Sequence, residues 1–510
     1  MKRLVSLVLS LALVLSLCAF AQADDLPTIT IMFHGSNVSD DSVVLEKVNE
    51  YIADKVGAKL EVIWGTWGDF DDKATNALLS GDSDVDMIFT CSWSADEFNK
   101  YAKDGYFYEL DELVDAYGAE LKAAIPEALM TAATVVGPDG EKHIYAVNGF
   151  KDTATQIAWD VNVTLLNELG YTLDDVKNLG FFGWGEIFAK AKEVKGDAFY
   201  PFLVEPMVAE RAVTNTIIVT GDSGNVNLLS YYMNPDDLTQ PTEKYGNVML
   251  NKFATEEYKA FAETMRAYYV AGYIDPALAV AETSNDTRTN AQKEANYLIG
   301  TQSYAYGYEY SAEVTSRGIE VAYLPCTDPY VDTTVSQGAM IAISSASEHP
   351  EESFKFLNLL NSDPTLMTLL NYGVEGVQYN LTEDGLVDFY GEDNELLPGR
   401  SAYQPWTNGM GNVTILPDTK SEGAGFRKAF QEFYASGKAI PVLGFIFDSS
   451  EVETEMGALA NVAAQYALAL DCGAVDPETE LPKFLSALDA AGMQKYLDAA
   501  NEQVKAFLGE

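Results

Sequence analysis

The sequence predicts an α/β fold built as two lobes with a helical C-terminal region. The chain has 510 residues, more than one ordinary domain holds. Strand and helix patterns alternate along its first ninety residues, and apolar strands return late, after a helical stretch. A chain that leaves one lobe, builds a second and comes back accounts for that order.

TITIMF, at the start of the mature region, is continuously apolar and suits a fully buried strand. HGSNVSDDS follows as a polar loop, whose Asp40-Asp41-Ser42 end suits a helix cap. VVLEKVNEYIADKVG carries apolar residues at spacings of three and four and stops at Gly57, the pattern of an amphipathic helix. AKLEVIW reads as a second strand, KATNALLSG as a helix and DMIF as a third strand. YAVNGFKDTATQIAWD holds two short strands meeting at Gly149-Phe150. FATEEYKAFAETMRAYYVAGYI is a long amphipathic helix, and YLIGTQSYAYGYEYS is a strand running into a tyrosine-rich loop. GIEVAYLPC and GAMIAIS read as two more buried strands. HPEESFKFLNLLNSDPTLMTLLNYG is a helical pair broken at Asp363-Pro364, and most of the remaining chain is helical.

Lys2 and Arg3, an apolar run from Leu4 to Phe20, and Ala21-Gln22-Ala23 make residues 1–23 a secretory signal peptide. The mature protein is expected outside the cytoplasm, extracellular or at the cell surface. Cys18 is the candidate lipid acceptor. It follows Leu17, a large residue, so it either carries a lipid anchor on the outer face of the cytoplasmic membrane or leaves with the signal. Cys91, Cys326 and Cys472 are odd in number and widely spaced, which excludes a disulfide framework and paired metal-ligand spacing.

The balance of 77 acidic against 32 basic residues, a formal charge of −45, repels nucleic acid. His34, His143 and His349 are far apart and fit no zinc motif, and neither a nucleophile elbow nor a phosphate-binding loop is present. No cofactor, no metal and no enzymatic activity are expected. A secreted glycoside hydrolase stays open as an alternative, because its chemistry needs only two carboxylates.

Aromatic residues are the stronger signal. Trp64 and Trp67 follow the second strand in WGTWGDF, Trp93 ends the third, Trp159 ends IAWD, Tyr304 to Tyr310 follow YLIG, and Trp406 sits in the loop QPWTNGMGN. Each alone reads as ordinary core. As a set at strand ends they suit a cleft, since flat rings match the C–H face of a sugar and Asp, Asn, Gln and Ser match its hydroxyl rim.

At these residues the chain resembles the family-1, carbohydrate-type solute-binding proteins of ABC importers, in the Gram-positive subgroup with a C-terminal domain of unknown function. LLSGDSDVDMIFTCSW, WDVNVTLLNELGY and GAMIAISSASEHPEESFKFLNLLNSDPTLMTLLNYGVEGVQY carry the resemblance, with IPVLGFIFDSSEVETEMGALANVAAQY and the tail to residue 507 matching the C-terminal domain. The resemblance implies a hinged, two-lobe fold of the type II periplasmic-binding-protein kind. Its lobes are expected at 24–150 plus about 316–376, and at 151–315 plus about 377–510. It also implies a monomer that captures a small solute, an oligosaccharide or similar polyhydroxylated ligand, and docks on a membrane permease. A binding protein for peptides or another small solute is the alternative. The candidate ligand-binding residues are Asn37, Ser92, Trp93, Trp159, Tyr304, Tyr308, Glu375 and Trp406. Glu375, between two residues of the YGVEG turn, either meets ligand or caps local backbone amides.

Overall fold

Six of the seven side chains of Thr28–His34 are buried, as a strand covered on both faces requires. In the computed structural model, which describes residues 26–35, 37–93, 97–205, 209–210, 216–218, 228–406 and 409–510, this strand sits inside a five-stranded sheet. Lys59–Gly65 and Met87–Thr90 flank it in parallel. Met340–Ile343 and then Ala146–Asn148 extend the sheet, each antiparallel to its neighbour. The expected signal peptide and Cys18 lie outside the described residues.

The chain divides into two compact units. The first takes the chain up to Lys151 and again from Gln337 to Ala429, and the second holds Asp152–Ser336 and Phe430–Glu510. The return to the first unit thus comes at Gln337 rather than near 316. Strand Val321–Pro325 pairs antiparallel with Gln156–Asn162 of the second unit, and only Met340–Ile343 joins the first sheet. The second departure follows Ala429 rather than 376. Backbone and side-chain bonds tie the intervening segment to the first unit: Arg400 Nη1 donates to the Asn371 carbonyl at 3.0 Å and Asn412 Nδ2 to the Asn361 carbonyl at 3.1 Å.

Helices cover the first sheet as their patterns dictate. Ser42–Val56 buries Val44, Val48, Ile52 and Val56, one per turn, and ends at Gly57 with φ +80°. Its start differs from expectation. Asp40 Oδ1 accepts from the Ser42 amide and hydroxyl, while the Asp41 carboxylate is taken by the Trp64 indole N–H at 2.7 Å. Pro350–Ser362 and Pro364–Tyr372 form the helical pair, and the Asp363 carboxylate caps the second by accepting from the Thr365 and Leu366 amides.

In the second unit, Val321–Pro325, Gln156–Asn162, Ile299–Tyr304 and Phe202–Leu203 form a four-stranded sheet in that order. Val321–Pro325 is only half-buried, not the buried strand its apolar run suggests, because it is the sheet's edge. A second sheet of Thr216–Ile218, Leu229–Asn234, Asp237–Pro241 and Met249–Asn251 has no counterpart in the sequence-based expectation. The C-terminal tail is two helices, Pro477–Ala490 and Met493–Leu508, hinged at Gly492 with φ +102°. Among the described residues no helix is long and apolar enough to cross a membrane.

Two buried ionic groups lock the second unit. Arg317 Nη1 donates to Asp160 Oδ2 at 2.8 Å and to the Tyr297 hydroxyl at 2.6 Å, and that hydroxyl donates to Asp160 Oδ1 at 2.9 Å. Lys252 Nζ pairs with Glu210 Oε2 at 2.7 Å, both side chains almost inaccessible, and Tyr258 donates to the buried Asp471 at 2.6 Å.

Candidate functional site

Parallel strands bring their carboxyl ends to one edge of the first sheet, and the aromatic residues that follow them converge there. Thr28–His34 delivers His34. Lys59–Gly65 delivers the turn Thr66–Asp69, on which Trp67 stands. Met87–Thr90 runs through Cys91 to Ser92 and Trp93. The Trp67 turn is held by Asp69, whose carboxylate accepts from the Thr66 amide and hydroxyl and pairs with Lys73 at 2.7 Å. Lys73 first, then Thr66, keeps that carboxyl well below its usual range. Trp93 is fixed by its indole N–H, which donates to the Gly338 carbonyl at 2.7 Å, while the Ser92 amide donates to the Gln337 carbonyl at 3.1 Å.

Trp406 arrives from far along the chain. The two-residue strands Asn37–Val38 and Tyr403–Gln404 pair antiparallel, Asn37 opposite Gln404, so the loop after the first strand carries the Trp406 loop beside it. Gly409 closes the loop: a Cβ there would lie 2.3 Å from the Trp406 ring. Asn37, exposed, serves in this ribbon through its backbone.

Trp67 and Trp93 are the two exposed tryptophans, 55% and 48% accessible, with ring centroids 6.2 Å apart and planes 35° apart. Trp406 stands edge-on to both, 5.1 Å from Trp67 and 6.2 Å from Trp93. Phe89 packs against Trp93 and Trp406 from the sheet side, at 6.3 and 5.5 Å. Soluble proteins seldom leave large adjacent aromatic faces in water without a partner for them. Trp67, passed over among the candidates, is more exposed than any of the aromatic residues chosen. The WGTWGDF stretch carries its signal, but the sequence does not say which of its two tryptophans faces outward. Trp64 is the internal one, bonded to Asp41 and edge-on to Phe33 and Tyr403.

His34 also goes unsuspected in the sequence. Its ring lies beneath Trp67, stacked at 4.2 Å and 21°, and 4.0 Å from Phe70. It is 2% exposed, and neither ring nitrogen has a hydrogen-bond partner among the described residues. Burial lowers its pKa from 6.5 to about 4, against a smaller upward pull from Asp71. The unfolded chain takes up this proton first. The contribution to stability is therefore intact above pH 6.5 and is lost as pH falls to about 4, in all roughly 3 kcal/mol. A protonated imidazole quenches a stacked indole, so Trp67 emission should drop with a midpoint near pH 4 and the drop should vanish in His34→Phe. A quench that persists in that variant would assign the transition to another group.

The remaining candidates divide. Trp159 is not at a strand end. It lies in the middle of Gln156–Asn162, 5% exposed, packed against Phe181, Trp184 and Phe202, because the strand runs on through Asp160-Val161-Asn162. It is core of the second unit. Tyr304 and Tyr308 come together there across Tyr323, at 5.0 and 5.8 Å, and the Tyr304 hydroxyl donates to Glu309 at 3.1 Å. Glu375 is exposed in the turn after Pro364–Tyr372, and among the described residues no ring contact or hydrogen bond joins it to the tryptophans.

Among the described residues, one group has metal-ligand character: Glu109, Asp139 and His143, with ligand atoms within 4.8 Å of one another. His143 is ion-paired with Asp139 at 3.1 Å and Asp111 at 3.5 Å, and the Asp139 hydrogen bond leads in raising its pKa. These surface ion pairs account for the group.

Residues 35–366 match the bacterial extracellular solute-binding protein family. The chain belongs to that family. Residues 441–509 match a domain of unknown function, as the C-terminal segments suggest. A carbohydrate ABC transporter substrate-binding protein of Streptococcus pneumoniae serotype 4 is 26% identical over 494 residues, covering 96% of this chain and 92% of that one. The crystal structure of an N-glycan transport solute-binding protein from Streptococcus pneumoniae aligns with a TM-score of 0.75 at 24% identity, over 95% of this chain and 99% of that one. Its complex with Man5GlcNAc aligns at 0.61 and 25% identity, with the same coverage. An extracellular solute-binding protein from Bifidobacterium longum subsp. infantis aligns at 0.65 and 16% identity, over 95% and 99%. The α/β two-lobe fold expected from the sequence is the fold of these solute-binding proteins.

Proposed function

We propose that this family member captures an oligosaccharide on the tryptophan platform of its first unit, without chemical turnover, and hands it to an ABC permease at the cell surface. The supporting observation is the pair of exposed indoles, Trp67 and Trp93, braced by Trp406 at the carboxyl edge of a parallel sheet. Their faces offer area to the C–H side of sugar rings, and Ser92 stands next to Trp93 as a hydroxyl partner. The carbohydrate transport role named for the Streptococcus pneumoniae relative is in keeping with this chemistry. Delivery to a permease is in keeping with the ABC transporter role named for that relative, and Cys18 is the candidate anchor point.

The test is calorimetric and thermal titration of the mature protein, starting at Asp24, with neutral oligosaccharides, oligopeptides and a product assay. A saccharide at a hundred times its dissociation constant should add about 2.7 kcal/mol of stability. Binding of one saccharide class with the saccharide recovered intact supports the reading. Binding of peptides alone, or release of cleaved sugar, overturns it.

A further inference from the structure

The second unit holds an open pocket of about 400 Å³ with a lining at odds with the rest of the chain. Acidic residues outnumber basic ones by 77 to 32 overall, yet the pocket is lined by Arg288, Lys293 and Arg317 and by no carboxylate. One wall is the helix Ala281–Lys293, which has no buried residue at all. A helix polar on every side gains little from packing, so its sequence answers to something other than the core. It presents Arg288, Thr289, Gln292 and Lys293 to the pocket, across from Gln302 and the Tyr308 ring.

The charges do not cancel. Arg317 is compensated by buried Asp160 at 2.8 Å, and Arg288 by Glu205 at 3.0 Å. Lys293 is exposed at the helix end and makes no ion pair among the described residues. Two carboxylates behind three cations leave one positive charge facing the cavity. Tyr308 adds an aromatic face, and Thr289, Gln292 and Gln302 add hydroxyl and amide groups, the complement of a sugar ring. One uncompensated cation matches one negative charge.

We infer that this pocket of the second unit binds the carboxylate of an acidic sugar, of the uronic or sialic acid type. This is a site beyond the oligosaccharide reading above, built from other residues than the tryptophan platform. Lys293 supplies the charge, Arg288 and Arg317 shape the field, and Tyr308 backs the ring.

The experiment measures dissociation constants of the mature protein for 3′-sialyllactose and digalacturonate against lactose and cellobiose, at low and high salt. At least one acidic ligand should bind at least tenfold tighter than its neutral counterpart, with the advantage shrinking as salt screens it. Lys293→Gln should cost that ligand about tenfold, Lys293→Glu more, and both should leave the neutral sugars within twofold. Lys293 is exposed, so neither variant should disturb folding, and thermal melting checks this. Neutral sugars that bind as well as acidic ones, or an acidic advantage untouched by both variants, overturns the acidic-sugar assignment alone. No binding of any saccharide, here and across the neutral panel, overturns the oligosaccharide reading together with it.

Discussion

Alanine at Trp93 should weaken oligosaccharide binding about tenfold, and alanine at both Trp67 and Trp93 by roughly a hundredfold. Each ring is about half exposed, and covering on the order of 50–80 Å² of it is worth roughly 1–2 kcal/mol per ring at about 25 cal/mol/Å². Thermal stability should fall modestly as well, because the variants lose the Trp93 hydrogen bond to Gly338 and the Trp67 stack on His34, so affinity is read well below each variant's melting temperature. Calorimetric titration reads the affinity and circular dichroism the melting. An affinity within threefold of the unaltered protein for the double variant would dismiss the platform. Trp159→Phe supplies the contrast: its ring packs against Phe181, Trp184 and Phe202 inside the second unit, so it should shift melting and leave affinity alone.

Lys252→Met should destabilise the second unit by about 3–5 kcal/mol at pH 7, lowering its melting temperature by about 10 °C. The substitution strands Glu210, its partner at 2.7 Å, and the nearby buried Asp471. Burial already raises the Asp471 pKa from 3.8 to about 6, with Lys252 and the Tyr258 hydrogen bond pulling it down. The folded state thus binds this proton more tightly than the unfolded chain. Its contribution is fully present below pH 3.8 and lost as pH rises through about 6, opposite in sign to that of His34. The penalty of Lys252→Met should therefore shrink as pH falls from 7 to 5, when the Asp471 carboxylate protonates. Denaturant melts of both proteins at the two pH values measure this. A penalty independent of pH would mean that lost packing, not stranded charge, is what the variant reveals.

Local pattern made much of the fold legible. Val44, Val48, Ile52 and Val56 recur at helical spacing, and Asp363-Pro364 both ends one helix and caps the next, so those elements follow from residues adjacent in the chain. The sheet of Leu229–Asn234 and its partners stayed hidden because NLLSYYMNP has no alternation to separate a strand from a buried helix turn. Part of the aromatic cluster was legible as well: Trp93 and Trp406, both candidates from the sequence, stand together, and Ser92 precedes Trp93 in the chain. Trp159 misled because IAWD looks like a strand end, while the hydrogen-bonded register to Thr301 and Leu324 carries the strand three residues further.

By itself the sequence determined the α/β composition, the succession of the main strands and helices in the first ninety residues and the family, since these depend on short-range periodicity and on contiguous motifs. Only the tertiary structure decided which aromatic rings face water. Exposure depends on what packs from elsewhere in the chain: Trp64 turns inward to Asp41, and Trp406 reaches Trp67 through the ribbon of Asn37 and Gln404. The cationic lining around Tyr308 is of the same kind, gathered from a helix, a strand and a turn that no linear motif connects.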